Sequence, residues 1–324
     1  MKKNKLIFIT VTLILFLCIN LFTHFEDIPP GARIAGLNNC ATAVGDDIFT
    51  SYFNPAGLEN TSNIELGMDY NRLHIGLTDG SNISSNLVLI SKKFDNLGGI
   101  KIGGVLFGYK QLDLQNYYAE RKYTIGYGRT IHIFKNFINF GIKINIFNKS
   151  YNKTRYTEMA VNLLTGESKN SIDPVFSSGY SKTALGLDFG LIYKFFENHN
   201  LGLLVENINE PNIGLKDKDV ISRNIKIGYM FKHFKLKAIT DLMLYKDSII
   251  FALSGEREIN IFQTEKLFLR GGLGFGSREY SNLSFGVSFV YKEMFQFDYG
   301  FNYLLRGLAN LSGSHQVSLI VKFK

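Results

Sequence analysis

The sequence predicts an all-β protein: a 14-stranded antiparallel transmembrane β-barrel with a small N-terminal hatch or plug segment. Three observations lead to this fold class. The 324 residues include 28 Phe, 17 Tyr and 31 Gly but only 5 Pro and no Trp, a composition that favours strands and transmembrane barrels in particular. Many segments of about ten residues alternate apolar and polar side chains, and a tilted strand of that length can cross a bilayer. An apolar leader indicates export.

Residues 1–24 are predicted to be a signal peptide. The basic stretch MKKNK precedes an apolar run from Leu6 to Phe22, which is the pattern of a secretory signal. No pair of small residues marks a cleavage site, so two alternatives stay open. Cys18 would be the modified cysteine of a lipoprotein, although the bulky Leu17 precedes it. The apolar run would otherwise remain as an anchor, since it is just long enough to span a bilayer.

Residues 25–62 are predicted to form the hatch, and their composition differs from that of the rest of the chain. The stretch from Gly31 to Leu58 reads GARIAGLNNCATAVGDDIFTSYFNPAGL and is rich in small residues. It contains the adjacent pair Asp46 and Asp47, for which we expect turn formation or pairing with the barrel wall. It closes on Asn54-Pro55-Ala56-Gly57-Leu58, a turn in which proline fixes φ and glycine gives freedom at the exit.

Residues 63–324 are predicted to form the barrel. Alternation is clear from Phe295 to Tyr303, where aromatic residues on one face alternate with polar residues and glycine on the other. Longer connections such as 150–180 and 207–220 alternate with short turns, as expected for external loops and periplasmic turns. The count is even, as a bacterial outer-membrane barrel requires. The fourteen predicted strands are 63–70, 84–92, 99–110, 121–131, 137–149, 181–195, 200–206, 221–232, 235–245, 247–257, 265–275, 282–292, 295–305 and 314–324.

The polar faces of these strands are predicted to line the barrel interior. The charged candidates for the lumen are Asp188, Lys226, Arg270 and Asp298. Two interpretations are open: these charges meet a substrate or clamp the plug, or they simply belong to a polar interior, which barrels commonly have. The same faces carry glycines, whose missing side chains leave room for a packed segment. Those glycines are Gly126, Gly128, Gly141, Gly186, Gly190, Gly228, Gly286 and Gly300.

Several classes of function are not predicted. The formal charge of +8 includes three leader lysines, and the rest of the excess is spread along the chain, so no basic block indicates nucleic-acid binding. None of the six histidines is spaced for a metal site. No nucleophile-elbow or zinc-hydrolase motif occurs, and the glycine run 271–276 has the wrong spacing for phosphate binding. We therefore expect no catalytic residues, no metal and no cofactor, with Cys40 as an apolar filler.

The small-residue stretch and the closing strands carry a family pattern. Its elements near the N-terminus are Gly31-Ala32-Arg33, Gly36, Ala43-Val44, Asp46-Asp47 and Asn54 to Leu58. Its elements near the C-terminus include Arg270-Gly271-Gly272 and Gly313 to Leu319. Together they resemble the FadL-like outer-membrane proteins, especially the PorV/PorQ branch and its spirochaete relatives. The chain departs from that family at Asn38-Asn39-Cys40, where small residues are usual.

The resemblance implies a 14-stranded barrel in the bacterial outer membrane, in contact with outer-membrane lipid. It also implies that the hatch, which contains Asp46 and Asp47, rearranges near Asn54, Pro55, Ala56 and Gly57 when a molecule passes. In FadL-type members the hatch and lumen bind fatty acids or other hydrophobic molecules. The primary hypothesis is therefore passive binding and transport of hydrophobic small molecules.

The PorV-type members imply an alternative function, in which the barrel escorts secreted proteins at the cell surface as part of a secretion system. The loop 150–180 would then contact the exported or secretion-system protein, with Tyr151, Arg155, Tyr156 and Tyr180 as contact residues. Tyrosine and arginine are enriched in protein interfaces. A third hypothesis is an abundant surface barrel without a dedicated cargo.

Overall fold

The computed structural model describes residues 28–75, 82–94, 102–114, 117–133, 136–154, 158–161, 168–277, 280–305 and 313–323. The predicted signal peptide at residues 1–24 lies outside the described residues, as do Arg155 and Tyr156. None of the helices in these described ranges is both long enough and apolar enough to cross a membrane.

Fourteen strands of the described residues form one closed antiparallel barrel, as the sequence predicts. The strands of the described residues are β1 (Ile64–Leu73), β2 (Ile83–Phe94), β3 (Gly103–Leu114), β4 (Tyr118–Ile133), β5 (Asn136–Tyr151), β6 (Met159–Val161), β7 (Ser168–Ile172), β8 (Ser181–Phe196), β9 (His199–Glu206), β10 (Asn224–His233), β11 (Leu236–Tyr245), β12 (Ser248–Asn260), β13 (Glu265–Gly276), β14 (Ser281–Tyr291), β15 (Phe295–Leu304) and β16 (Ser314–Phe323). The barrel closes where β1 pairs with β16, whereas β6 and β7 pair with each other in a separate hairpin.

The observed strands lie within a few residues of the predicted ones. The predicted strand 295–305 is β15, and the predicted strand 121–131 is the longer β4. The predicted strand 221–232 begins later, at Asn224, because Ile221 leaves the wall and packs inward. The predicted strand 99–110 begins at Gly103 in the structure, and residues 99–101 lie outside the described ranges.

The two faces of the barrel wall differ in polarity. Outward-facing Phe251, Phe285 and Phe297 are each about half exposed. Inward-facing Asp298, next to Phe297 in the chain, is only 4% exposed. An apolar outer band with a polar interior is the arrangement of a membrane barrel, since lipid tails cover the outside.

The two ends of the barrel differ in the length of their connections. We call the end with the turns 197–198, 234–235 and 292–294 the turn end. We call the opposite end, with the connections 152–180 and 207–223, the loop end. The loop end also contains a two-residue turn between β11 and β12, so the alternation of long and short connections has one exception there.

Candidate functional site in the barrel lumen

The N-terminal segment, residues 28–62, lies against the inward face of the barrel. It contains helix α1 (Ala32–Gly36), helix α2 (Ile48–Phe53) and a 3-10 helix (Pro55–Asn60). Helix α1 packs mainly on β14 and β15, and the 3-10 helix packs mainly on β4 and β5. The predicted hatch also includes residues 25–27, which lie outside the described residues.

Side-chain caps fix the beginnings of α2 and the 3-10 helix. The Asp47 carboxylate accepts a hydrogen bond from the Thr50 amide (2.8 Å), and the Thr50 hydroxyl accepts one from the Asp47 amide (3.0 Å). This reciprocal capping box satisfies two amides that a helix start leaves free. Pro55 follows Asn54 at the first position of the 3-10 helix, where a missing N–H has no cost.

The Asn54 side chain ties the 3-10 helix to the rest of the N-terminal segment. Its Oδ1 accepts a hydrogen bond from the Ala56 amide (3.2 Å), and its Nδ2 donates to the Thr42 carbonyl (2.6 Å). Gly57 packs closely against another part of the same segment, since a Cβ at this position would lie 2.5 Å from the Gly45 Cα. Asn54 is fully buried, so loss of its side-chain amide would leave the buried backbone groups that it contacts without hydrogen-bond partners.

Inward-facing glycines of the wall bring the N-terminal segment into backbone contact. A Cβ on Gly141 would lie 2.6 Å from the Ala56 nitrogen, and one on Gly190 would lie 2.8 Å from the Pro55 Cδ. Seven of the eight glycines that the sequence assigns to the interior contact this segment, and Gly186 instead faces the side chains of Phe147 and Asn207. Contacts this close require glycine, because any other residue would displace the neighbouring backbone.

A cluster of charged side chains holds the segment at the turn end. Arg33 contacts Asp46 (2.5 Å), Asp47 (2.6 Å) and Glu256 of β12 (2.7 Å), and Lys237 of β11 contacts Asp46 (2.6 Å) and Glu256 (3.2 Å). Burial opposes the charge of Arg33, but the three carboxylates outweigh it and raise its pKa. The Asp46 side chain is 39% exposed, and the positive charges of Arg33 and Lys237 hold its pKa well below the usual range.

Asp188, a predicted lumen residue, lies in the interior beside Lys143. The two side chains are each about 2% exposed, and Lys143 Nζ lies 3.3 Å from the Asp188 carboxylate. The same ammonium group donates to the carbonyls of Tyr52 (2.7 Å) and Phe53 (3.1 Å) at the end of α2. Asp188 also accepts a hydrogen bond from the Asn207 amide (2.8 Å). The pair therefore joins the wall to the N-terminal segment.

The other three predicted lumen residues are also buried in the interior. Lys226 lies 3.0 Å from Glu206 and 4.4 Å from the centre of the Phe53 ring. Arg270 lies 3.2 Å from Glu256 and 3.7 Å from Asp298. The structure thus brings Arg270 and Asp298 together, whereas Lys226 and Asp188 belong to other contacts.

Sequence reasoning missed Lys143, Lys237, Asp241 and Glu256 as site residues. Asp241 is the clearest case, since its Oδ2 accepts from the Ala41 amide (3.1 Å), the Thr42 amide (3.0 Å) and the Thr42 hydroxyl (2.6 Å). Lys143 carried a usable signal, because it alternates with isoleucines and so shares the inward face. The sequence contains no comparable pattern that identifies which residues these side chains contact across the lumen.

A cavity of about 80 Å³ lies in the loop-end half of the lumen. The N-terminal segment and the barrel wall form its floor and sides. The connection 207–223 covers it, with Ile213 and Ile221 packed on Phe147 and Asp219 paired with Lys149 (2.8 Å). The lining residues are Ile28, Pro30, Tyr52, Phe53, Lys110, Leu112, Glu120, Lys122, Lys143, Phe147, Glu206, Asn207, Ile221 and Asn224.

The long connection between β5 and β8 forms an aromatic cluster at the loop end. The Phe176 ring stacks on Tyr180, with centroids 4.9 Å apart, and meets Tyr151 edge-on at 5.5 Å. The Tyr180 hydroxyl donates to Glu158 (2.7 Å). Among the described residues, no group of histidine, cysteine or acidic side chains is placed to hold a metal.

The closed 14-stranded barrel with an apolar outer band defines the class of protein: a bacterial outer-membrane β-barrel protein. The family model of the type IX secretion system membrane proteins PorP/SprF matches residues 48–321 of the sequence. The match spans most of the chain, so the protein belongs to this family. No protein with a curated functional description matches the sequence.

Solved structures with the same fold include several channels. The CymD monoaromatic hydrocarbon channel has a TM-score of 0.62 at 10% identity, over 93% of this chain and 99% of CymD. A mutant of the TodX monoaromatic hydrocarbon channel has a TM-score of 0.54 at 12% identity, over 92% and 100%. A FadL homologue from Pseudomonas aeruginosa has a TM-score of 0.52 at 10% identity, over 91% and 98%. At such identities the likeness shows the fold alone.

Proposed function

We propose that the protein holds an exported protein at the outer membrane as a component of a type IX secretion system. The family match over residues 48–321 carries this proposal. The interior supports it, because the N-terminal segment occupies much of the lumen and the remaining cavity measures about 80 Å³. Lysines and glutamates line that cavity, and charged groups are costly to dehydrate. It is therefore poorly suited to a long hydrophobic molecule.

We place the contact with the exported protein on the aromatic cluster of the loop end. Long connections of outer-membrane barrels face the outside of the cell, and aromatic side chains are enriched in interfaces. Next to the cluster of Tyr151, Phe176 and Tyr180, the apolar side chains of Ile172 and Val175 are 60% and 40% exposed. This surface offers apolar contacts on the side where an exported protein would emerge.

A site-specific photo-crosslinker tests this placement. The crosslinking amino acid replaces Val175 at the loop end, and a matched control replaces Phe262, which is exposed at the turn end. We expect an adduct with an exported protein at position 175 in cells that carry the secretion system, and no such adduct at position 262. The same adduct at both positions, or none at 175 while exported proteins reach the surface, would contradict the proposal.

A second candidate function is passage of hydrophobic small molecules, with residues 25–62 as a hatch that moves near Asn54, Pro55, Ala56 and Gly57. The fold shared with the CymD and TodX monoaromatic hydrocarbon channels favours it. Purified protein in liposomes would then take up a monoaromatic hydrocarbon faster than empty liposomes. Equal uptake would leave the secretion role as the better account.

A further inference from the structure

A groove of about 330 Å³ runs along the outer face of the barrel wall near the turn end. The rings of His199, Tyr229 and Phe231 line one side of it, Leu253 of β12 lines the other, and Ala238 of β11 lies between them. The Tyr229 hydroxyl lies 2.8 Å from His199 Nδ1. Rings that combine an apolar body with a polar atom are typical of the level at which a bilayer meets water.

Small residues extend the floor of the groove across three strands. Ala238 lies directly opposite Gly255 of β12, and Gly255 lies opposite Gly271 of β13. The space above Gly255 is open, because a Cβ there would meet only the Lys237 carbonyl oxygen within 4 Å, at 3.8 Å. Neighbouring strands lie about 4.8 Å apart, so this recess is about 10 Å across. It is therefore wide enough for an extended hydrocarbon chain.

Arg257 brings a positive charge to the turn-end edge of this recess. It follows Gly255 by two positions on β12, so both residues face outward. Its neighbours on the outer face are apolar, with Leu236 and Leu269 across the strands and Ile259 next on its own strand. Among the described residues, no carboxylate pairs with Arg257. A charge on the lipid-facing side of a barrel is unfavourable, so an anion from outside the protein would stabilise it.

The position of Arg257 on the wall corresponds to the headgroup level of the bilayer. Leu236, which lies opposite it, directly follows the turn 234–235. Lys235 in that turn adds a second positive charge nearby, since its carbonyl oxygen accepts a hydrogen bond from the Glu258 amide (2.8 Å). The Glu258 side chain itself belongs to the inward face of β12. Two cationic side chains thus lie at the outer rim, directly below the recess.

The shape and charge of this surface identify its occupant. Lipid covers the outer band of a membrane barrel, and short turns face the periplasm, where phospholipids form the membrane leaflet. We propose that one phospholipid binds here, with its phosphate on Arg257 and one acyl chain in the recess over Ala238 and Gly255. Arginine suits this role, because its guanidinium group can donate two parallel hydrogen bonds to one phosphate. The proposal does not depend on the secretion role.

Native mass spectrometry of the full-length protein in detergent measures this binding. The probe is dioleoylphosphatidylglycerol, and the control lipid is dioleoylglycerol, which has the same chains but no phosphate. We expect one phosphatidylglycerol to bind saturably to each barrel, and dioleoylglycerol to bind at least about tenfold more weakly. Arg257→Met should weaken phosphatidylglycerol binding at least about tenfold, the loss expected for a hydrogen bond to a charged group. Gly255→Leu should weaken the binding of both lipids, because the new side chain fills the recess.

Arg129→Met is the matched control. Arg129 also faces outward near the turn end, since Ile125 and Ile131 on the same face of β4 are about half exposed. Instead of a recess it has the rings of Tyr127 and Phe140 beside it, with centroids 6.5 Å apart. This variant removes the same charge and should leave lipid binding unchanged. Heat-dependent gel mobility shows whether each variant keeps a folded barrel, which we expect because all three changes place an apolar side chain toward lipid.

Several results would overturn the proposal. Equal binding of the two lipids to the wild-type protein would show that no phosphate is recognised, and binding of many lipids without saturation would indicate an ordinary lipid layer. A loss in Arg129→Met as large as that in Arg257→Met would reflect the net charge of the barrel. Unchanged binding in folded Gly255→Leu would exclude the recess as the site of the acyl chain. If Gly255→Leu does not fold, the comparison of the two arginine variants still decides the question.

Discussion

Replacing Gly202 with alanine tests how closely the N-terminal segment packs on the barrel wall. A Cβ at this position of β9 would overlap the Thr42 carbonyl group and lie 2.7 Å from the Ala43 Cα. Both neighbours are backbone atoms, so the new methyl group must displace the segment and cannot be accommodated by a side-chain rotation. Such overpacking typically costs about 1–3 kcal/mol, which corresponds to about a 5- to 150-fold larger population with the segment displaced.

Cys40 provides the assay for that displacement. It is fully buried among Met230, Ile239 and Met243 of the wall, and burial raises the pKa of its thiol. It should therefore react with a maleimide only when the segment leaves the wall. In a Cys18→Ser background Cys40 is the only cysteine of the chain, and the alkylation rate of Gly202→Ala should rise by the same factor of about 5 to 150.

Gly255→Ala is the matched control for this experiment. It also adds one methyl group to a wall strand, but the nearest heavy atom outside its neighbours is the Lys237 carbonyl oxygen, 3.8 Å away. Its alkylation rate should equal that of the parent protein. If Gly202→Ala keeps a heat-modifiable folded barrel and alkylates within twofold of Gly255→Ala, the close packing described for residues 40–43 is wrong.

Three further predictions concern other contacts of the N-terminal segment. The double change Asn54→Ala and Pro55→Ala should increase the leak of hydrophobic probes into liposomes without loss of the barrel, because the buried turn loses its hydrogen bonds and its fixed φ. Unchanged permeability would show that this turn does not gate the barrel. Asp46→Asn should speed amide exchange of residues 31–47 by a factor that is constant above about pH 5. The folded pKa of Asp46 lies below its ordinary value, so its stabilisation is complete above that pH and is lost only as the pH falls further. A factor that shrinks between pH 7 and 5 would refute this. Lys143→Met should lower the free energy of unfolding in guanidinium by about 3–5 kcal/mol. Adding Asp188→Asn to the same chain should restore part of that stability. Additive losses in the two variants would show that the two side chains do not interact.

The sequence predicts the barrel well because its signal is local. Alternation with period two directly reports which side chains face in and which face out, so β15 and the inward position of Asp298 follow from ten consecutive residues. The same parity places Asp188, Lys226 and Arg270 on the inner face. All of these inferences can be made without information on which strand lies across the lumen.

The sequence gives much less information about the partners of those side chains. Arg33 and Glu256 are separated by 223 residues, and their contact depends on the register of every strand between them. Lys143 donates to two backbone carbonyls, which every residue carries and which therefore leave no mark in the sequence. Asp46 and Asp47 are adjacent and chemically equal, yet only Asp47 caps α2 while Asp46 contacts Lys237.

The physical balance that holds the N-terminal segment also explains where substitutions should act. When the segment leaves, water can solvate the interior charges, so its buried ion pairs come close to breaking even against hydration. The ion pairs therefore act mainly by fixing the position of the segment in the lumen. The favourable free energy must then come from apolar side chains such as Ile34, Ile48 and Leu58, which are fully buried, at about 1.5–3 kcal/mol each. Those side chains bury fully only because the wall glycines allow close approach. A methyl group at Gly202 should therefore release the segment more readily than removal of both members of an ion pair.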